Sequence, residues 1–571
     1  MSPGRGAVLA AAALAVASMF LVFDHARNDA LSADEPVHIL AGYFEASGRT
    51  AIVNIEHPPL LKLLAGLALR RLPLGPAPET VPMGNRFTDF GHAFLFENRV
   101  SPDAIAAAAR APFRWLFAVL LGVVFFAARA RYGPLPALFA TALLAFDPNL
   151  LAHAGVVHTD LGAALGFVAT VLAWDAVLQK HGAARLAAAA LILGLTLATK
   201  FSAVYLLPIL LVQGLLAARR AARPGLEAAR ATALLAAAAA GALFVVVGIY
   251  ALVTVRMNLE DQRQILWEMV GQRGAPRLAR ALQDVARVSP ALGHYLGGLA
   301  SVARQNAIGG GINFLDGKAS TQGFPSYFFV AFFAKSSLAF LAATLLAAAG
   351  AAAFRAGRDA ALWGVPVAVL FLASIGSSYN IGIRHLLPVY PFLALGAASV
   401  LARLRERQGA APIAAAALMV ALPVGAAAEA LRIHPHELSY FNPLVGGPPG
   451  GRLLLTDSNI DWGLDLRRLA DEIRRRGVRD PTVVYFGGDD VPYRVGVPDF
   501  SADPRVRGTF VAVSAFPLAV GPQYYAYHGA AGVAASLESL LRDLSARGRP
   551  AGRIGESIYL FELPRGAPPQ R

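Results

Sequence analysis

The run Ala231–Thr254, ATALLAAAAAGALFVVVGIYALVT, holds no charged side chain. It exceeds the roughly 20 residues that carry an α-helix across the hydrocarbon of a bilayer. Similar runs recur along the chain, and a soluble domain has no means of covering several of them. Apolar residues make up 56% of the 571 residues and charged residues 15%, with a mean hydropathy of +0.51. Soluble domains carry about 25% charge. The chain therefore reads as a polytopic α-helical membrane protein of about 11 spans, near 7–23, 112–129, 134–147, 160–178, 184–198, 201–217, 230–254, 326–353, 361–376, 386–402 and 411–430. The first run follows Arg5 like a signal peptide. Its length, and the lack of a small-x-small site before Asp24, make it an uncleaved span.

The net charge is +14. Basic residues cluster at Arg5, Arg129 and Arg131, Lys180 and Arg185, Arg219, Arg220 and Arg223, Arg355 and Arg358, and Arg403, Arg405 and Arg407. These fall on alternate loops, as the positive-inside rule requires, so the excess charge belongs to cytoplasmic loops and implies no nucleic acid. The N-terminus is then cytoplasmic, and the segments 24–111, 255–325 and 431–571 lie outside. Segment 184–217 becomes a tight hairpin turning at Thr199 and Lys200. Residues 1–430 form the membrane part. Residues 431–571 read as a small extracytoplasmic α/β domain, with strands at Thr482–Phe486, Thr509–Ala515 and Ser557–Phe561 and helices at Leu464–Arg476 and Ala534–Arg547. With no cysteine, disulfides, thiolate metal sites and cysteine nucleophiles are excluded.

Three outer segments carry acids, histidines or basic residues, while the spans hold few charges. The first contains Asp34-Glu35-Pro36-Val37-His38 and, farther on, Glu56-His57-Pro58-Pro59-Leu60-Leu61-Lys62. A carboxylate at the mouth of a span is placed to act as a general base. Capping of a juxtamembrane helix explains Asp34 and Glu35 equally well at this stage. The second segment has Asp147-Pro148-Asn149, His153 and His158-Thr159-Asp160, where Asp147 reads as a turn and Asp160 as a cap. The third has Arg384-His385. A guanidinium at the outer edge suits a phosphate, or snorkels to the headgroups. Arg110 and Lys335 pose the same choice. Polar groups converging on one face of a membrane mark a site.

Gly311–Lys318 lacks the phosphate-loop spacing, and no metalloprotease, nucleophile-elbow or dinucleotide motif is present. The cytoplasmic loops are short and basic, which leaves little room for a nucleotide-sugar site. A lipid-linked donor suits the outer polar groups better.

Taken in order, these segments resemble the C-type (GT-C) glycosyltransferase fold, in the superfamily of dolichyl-phosphate-mannose-protein mannosyltransferases and aminoarabinose transferases. The resemblance rests on Asp34-Glu35 with His38 and Gly42, on Glu56–Lys62, on Arg110-Ala111-Pro112, on His158-Thr159-Asp160, on Thr199–Ser202 and on Arg384–Pro388. It covers residues 1–430. His434–Asn442 and Asp457–Asp465 look like a bacterial subgroup with an outer C-terminal domain.

The resemblance implies an inverting glycosyltransferase in the bacterial inner membrane. It would move a monosaccharide from a polyprenyl-phosphate carrier to a hydroxyl on a protein, lipid or glycan. Asp34 is then the base and Glu35 the fallback. His57, Lys62, Arg110 and Arg384 would bind the donor phosphate. Glu56, His158 and Asp160 would orient the acceptor or ligate a divalent cation (magnesium, manganese or zinc). His57 stands where aminoarabinose transferases have lysine, which makes aminoarabinose the less favoured sugar; the expectation is a mannose-like hexose and protein O-mannosylation. The competing readings are a transporter or lipid flippase, and a non-catalytic envelope scaffold.

Overall fold

The computed structural model describes residues 3–48, 53–75, 87–353 and 357–564. Arg355, counted above among the basic clusters, lies outside them. Seven described helices are long and apolar enough to cross a membrane: Arg5–Asn28, Pro102–Tyr132, Asp160–Gln179, Phe201–Ala218, Pro224–Thr254, Gly357–Ile375 and Ala411–Ile433. Two bent pairs, Pro134–Ala145 with Pro148–Ala154 and Tyr327–Lys335 with Leu338–Ala353, raise the number to nine. The remaining two expected spans are the shorter helices Ala183–Leu197 and Val389–Arg405, of 15 and 17 residues. All eleven expected segments are thus helical, but four are short or broken. Large apolar side chains such as Phe20, Trp115, Phe126, Phe244, Leu345 and Leu372 stay exposed on the bundle, as lipid-facing positions do.

The segment 326–353 is not one continuous span. It bends by 119° at Ser336 and Ser337. Beside the bend, Lys335 is buried and donates to the carbonyls of Leu438 at 2.6 Å and Asn459 at 2.5 Å. Backbone groups freed at the bend are met from elsewhere: Asn442 donates to the Phe333 and Ser336 carbonyls, and Ser337 Oγ accepts from the Phe340 amide. The Asp147 turn is a true cap: its side chain accepts from the amides of Asn149 and Leu150 at 3.0 and 3.1 Å.

The bundle has two polar ends. At one, Asp175 takes Arg131 and Arg358, each at 2.7 Å, and Asp359 takes Arg403 at 2.8 Å and the Tyr132 hydroxyl at 3.0 Å. The other end carries Asp34, Arg110, Asp160 and Arg384. From Arg110 to Arg131 along one helix is about 32 Å at 1.5 Å per residue, the thickness of a bilayer core.

The C-terminal region holds a four-stranded sheet in the order Thr482–Val484, Phe510–Ser514, Ile558–Glu562, Arg549–Ile554. The first pair is parallel and the others antiparallel. Strand side chains alternate between faces. Val483, Phe510, Ala512 and Leu560 pack on Leu466, Leu469 and Ile473 of one helix, and Val484, Val511 and Val513 on Leu537, Leu540 and Leu544 of another. The strand Arg549–Ile554 was not anticipated: its residues are mostly exposed and carry no apolar alternation.

Candidate active site

Asp34 ends the loop after the first span, just before the helix Glu35–Ala46. Its side chain makes no capping hydrogen bond, so capping does not account for that carboxylate, while Glu35 does lie in the first turn. Asp34 Oδ2 instead accepts from Arg384 Nη1 at 2.8 Å and lies 3.5 Å from His158 Nε2. The Asp34 side chain keeps 35% of its surface, against 6% for Arg384 and 1% for Asp160, so it is the carboxylate of this group that an incoming molecule can reach. Burial works to raise the Asp34 carboxyl; Arg384 and His158 outweigh it and hold the group well below the ordinary value.

Arg384 sits in the short turn Ile383–Leu386 that leads into the helix Val389–Arg405. Its guanidinium lies over the Trp462 ring, 4.5 Å from the centroid, and its Nη1 is 2.5 Å from His158 Nε2. Arg384 Nε is buried without a hydrogen-bond partner among the described residues. An unmet buried donor costs about 1–3 kcal/mol, and an anion is what satisfies a guanidinium. His158 is held from its other side, where Nδ1 pairs with Asp160; the second Asp160 oxygen takes Lys200 Nζ. Asp160 lies in the first turn of its helix, where the dipole favours an acid.

His38, one helical turn beyond Asp34, has its ring 4.7 Å from His57 and 5.5 Å from His158. His57 Nδ1 donates to Asn54 Oδ1 at 2.8 Å, and Asn54 takes a left-handed φ of 57° that asparagine tolerates. Burial, reinforced by the neighbouring imidazoles, pushes His38 down to about 3 and His57 well below its ordinary value.

His38, His57 and His158 each offer a ring nitrogen within 4.8 Å of the others. Nitrogen donors suit zinc, not magnesium or manganese. His57 fits such a role, since Asn54 fixes its Nδ1 and leaves Nε2 free. His158 fits only if Arg384 withdraws from Nε2. The oxygen ligands expected from the sequence are already engaged: Glu56 by Arg273 at 3.0 Å and by Gln305, Asp160 by Lys200 and His158.

Three expected roles do not match the geometry. Arg110 gives Glu35 two bonds of 2.7 Å and donates to the carbonyls of Ala26, Asp29 and Ala30, so no donor is left for a phosphate. Glu35 is fully buried and also accepts from the amides of Ser32 and Val157, which removes it as a fallback base. The pair instead ties the residue next to Asp34 to the residue before His158. Lys62 is buried against Glu45 at 2.9 Å and donates to the Asn54 carbonyl at 2.9 Å, so it supports the His57 turn from behind.

The structure therefore brings together Asp34, His57, His158, Asp160 and Arg384, and sets Glu35, Arg110 and Lys62 behind them. Sequence reasoning did not assign roles to His38, Lys200, Trp462, Arg273 and Gln305. His38 was findable, because positions i and i+4 of a helix share a face. Lys200 was findable as a lysine at the turn of an apolar hairpin. Trp462 comes from more than four hundred residues away and gives no local signal.

No family model matches the chain, and no curated protein matches it. Among solved structures, it is similar to ArnT from Cupriavidus metallidurans bound to undecaprenyl phosphate, with 14% identity over 100% of both chains and a TM-score of 0.44. It is also similar to the archaeal oligosaccharyltransferase AglB from Archaeoglobus fulgidus in complex with an inhibitory peptide and a dolichol-phosphate, with 13% identity, 74% of this chain, 56% of that one and a TM-score of 0.44. The Archaeoglobus fulgidus oligosaccharyltransferase complex with Zn and sulfate gives 12% identity, 91% and 70% coverage and a TM-score of 0.45. At these identities and scores the likenesses assign no residue of this chain a role.

Proposed function

We propose that the chain is a C-type membrane glycosyltransferase that moves a monosaccharide, with inversion, from a polyprenyl-phosphate carrier to a hydroxyl acceptor. The observation that carries this reading is the reachable Asp34 carboxylate paired with Arg384 at one end of an apolar bundle. A carrier's prenyl chain would lie in lipid while its phosphate meets that end. Asp34 takes the proton of the acceptor hydroxyl as the oxygen bonds to the anomeric carbon. The bond from that carbon to the phosphate oxygen breaks, and its electron pair leaves with the phosphate. Arg384 meets that charge through its unpartnered Nε. No strong acid is needed, because the polyprenyl phosphate released from the donor diester is already a good leaving group.

Arg384 also sets the base. While it pairs with Asp34 the carboxylate is a weak proton acceptor. As the phosphate's charge gathers at Nε and competes for the guanidinium, Asp34 gains proton affinity. Glu56, oriented by Arg273 and Gln305, is the residue to hold the acceptor. A zinc ion on His38, His57 and His158 would add Lewis-acid charge at the phosphate. The sugar is a mannose-like hexose and the acceptor a protein, lipid or glycan of the cell envelope. The membrane is a bacterial inner membrane, with the Arg131–Asp175 end cytoplasmic and residues 431–571 forming the extracytoplasmic domain.

The test uses purified full-length protein with undecaprenyl-phosphate-linked hexose. Asp34→Asn should lower turnover by about 10²–10⁴ while leaving undecaprenyl-phosphate binding intact. Equal turnover in the variant, or carrier translocation without transfer, would reject the reading.

A further inference from the structure

The segment 457–465 belongs to the C-terminal region by sequence, yet it reaches into the site. The Trp462 carbonyl accepts from the amide of Ala33, the residue before Asp34, at 3.0 Å. Asn459 Oδ1 accepts from the amide of Ile383, the residue before Arg384, at 3.0 Å, and Ser458 Oγ donates to the Ile381 carbonyl at 2.6 Å. Gly382 permits the approach: a Cβ there would stand 2.2 Å from Ser458 Oγ. Trp462 itself is buried, with one face under the Arg384 guanidinium and the His158 ring 5.1 Å away, edge to face.

We propose that Trp462 is a positioning residue of the transfer site, holding the Arg384 guanidinium and the His158 ring where the leaving phosphate is met. The C-terminal region is then an integral part of the reacting centre. An indole face attracts a guanidinium without offering it an acceptor, so Trp462 fixes the plane of Arg384 while leaving Nε free. A carboxylate in its place would fix the plane but fill the donor. The chemistry assigned to Arg384 rests on the reading given under Proposed function; its placement by Trp462 does not.

The experiment keeps the two apart. Thermal unfolding of the full-length protein is compared for Trp462→Leu, Arg384→Gln and the double variant, with no substrate present. The double variant should lose less than the sum of the single losses. In the transfer assay Trp462→Leu should lower kcat about tenfold with acceptor KM unchanged, and Trp462→Phe, which keeps an aromatic face, should stay within about threefold. If Trp462→Leu fails to fold, fluorinated tryptophans at position 462 keep the shape and drain the ring face, and kcat should fall stepwise with fluorination. Additive unfolding losses, a Phe variant as impaired as the Leu variant, or no trend with fluorination would overturn the proposal. Non-additive losses in a protein that transfers no sugar would uphold the Trp462–Arg384 placement and reject the glycosyltransferase reading.

Discussion

Lys62 and Arg110 stand at the membrane edge, where a cation invites an anionic ligand, and each has found its anion inside the protein. Lys62 has Glu45 and Arg110 has Glu35. Burial pushes the Glu45 carboxyl up to about 7, with Lys62 pulling the other way, so Glu45 depends on its partner to stay ionised. Arg110→Met should cost about 3–5 kcal/mol, because it strands a buried carboxylate, and the loss is read as a fall in Tm of the purified protein. The imidazoles give a pH-dependent prediction. Folded His38 titrates at about 3 and folded His57 also below the unfolded value of 6.5. As pH falls below about 6.5 the unfolded chain binds protons at these imidazoles that the folded chain refuses, so their contribution to stability declines from there toward about pH 3. The parent Tm should therefore fall relative to that of His38→Gln between pH 7 and pH 5, a comparison in which the opposite contribution of the raised Glu45 carboxyl is common to both. At this scale the sequence disclosed which side chains are unusual, such as Asp34, His57 and Arg384. It did not disclose their partners, because Glu45 and Lys62, or Glu35 and Arg110, are joined only by folding.

The helices Glu35–Ala46 and Pro59–Leu69 form the hairpin that carries Asp34, His38 and the His57 turn. They cross backbone to backbone: a Cβ on Gly66 would stand 1.8 Å from the Gly42 carbonyl oxygen, and one on Gly42 would stand 2.2 Å from that of Lys62. Gly66→Ala therefore has to part the two helices and move His57 away from His38. It should lower both Tm and turnover, whereas Gly122→Ala, with open space around its Cβ, should leave both unchanged. Apolar periodicity made the long helices legible, since a charge-free run in a polytopic chain has one stable conformation. The turn expected at Thr199 and Lys200 separates Ala183–Leu197 from Phe201–Ala218. The break at Ser336 and Ser337 is not legible in the sequence, because the groups that meet its backbone and Lys335, at Glu429, Leu438, Asn442 and Asn459, lie about a hundred residues downstream.

Across the whole molecule, the ends of the bundle differ in charge chemistry: arginines clamp Asp175 and Asp359 at one, and the candidate site occupies the other. The absence of cysteine makes sidedness directly measurable. Single substitutions Gly182→Cys, beside the Asp175 end, and Ser545→Cys, on the C-terminal α/β region, should label from opposite faces of intact cells with a membrane-impermeant maleimide. Labelling of Gly182→Cys and not of Ser545→Cys from outside would reverse the proposed topology. Alternating basic loops predict which of the two ends is cytoplasmic. What they could not announce is how closely the C-terminal region is joined to the rest, because residues 457–465 carry no periodicity that points toward Ala33 or Ile383. The bed of Arg384 is assembled from Asp34, His158 and Trp462, residues drawn from the beginning, the middle and the late part of the chain. A ribosome that has released the first 430 residues has delivered the long apolar helices and still no Trp462 to complete the bed of Arg384. On the proposed function, a newly inserted chain is inert toward the lipid pool around it until its last quarter has folded against Ala33 and Ile383.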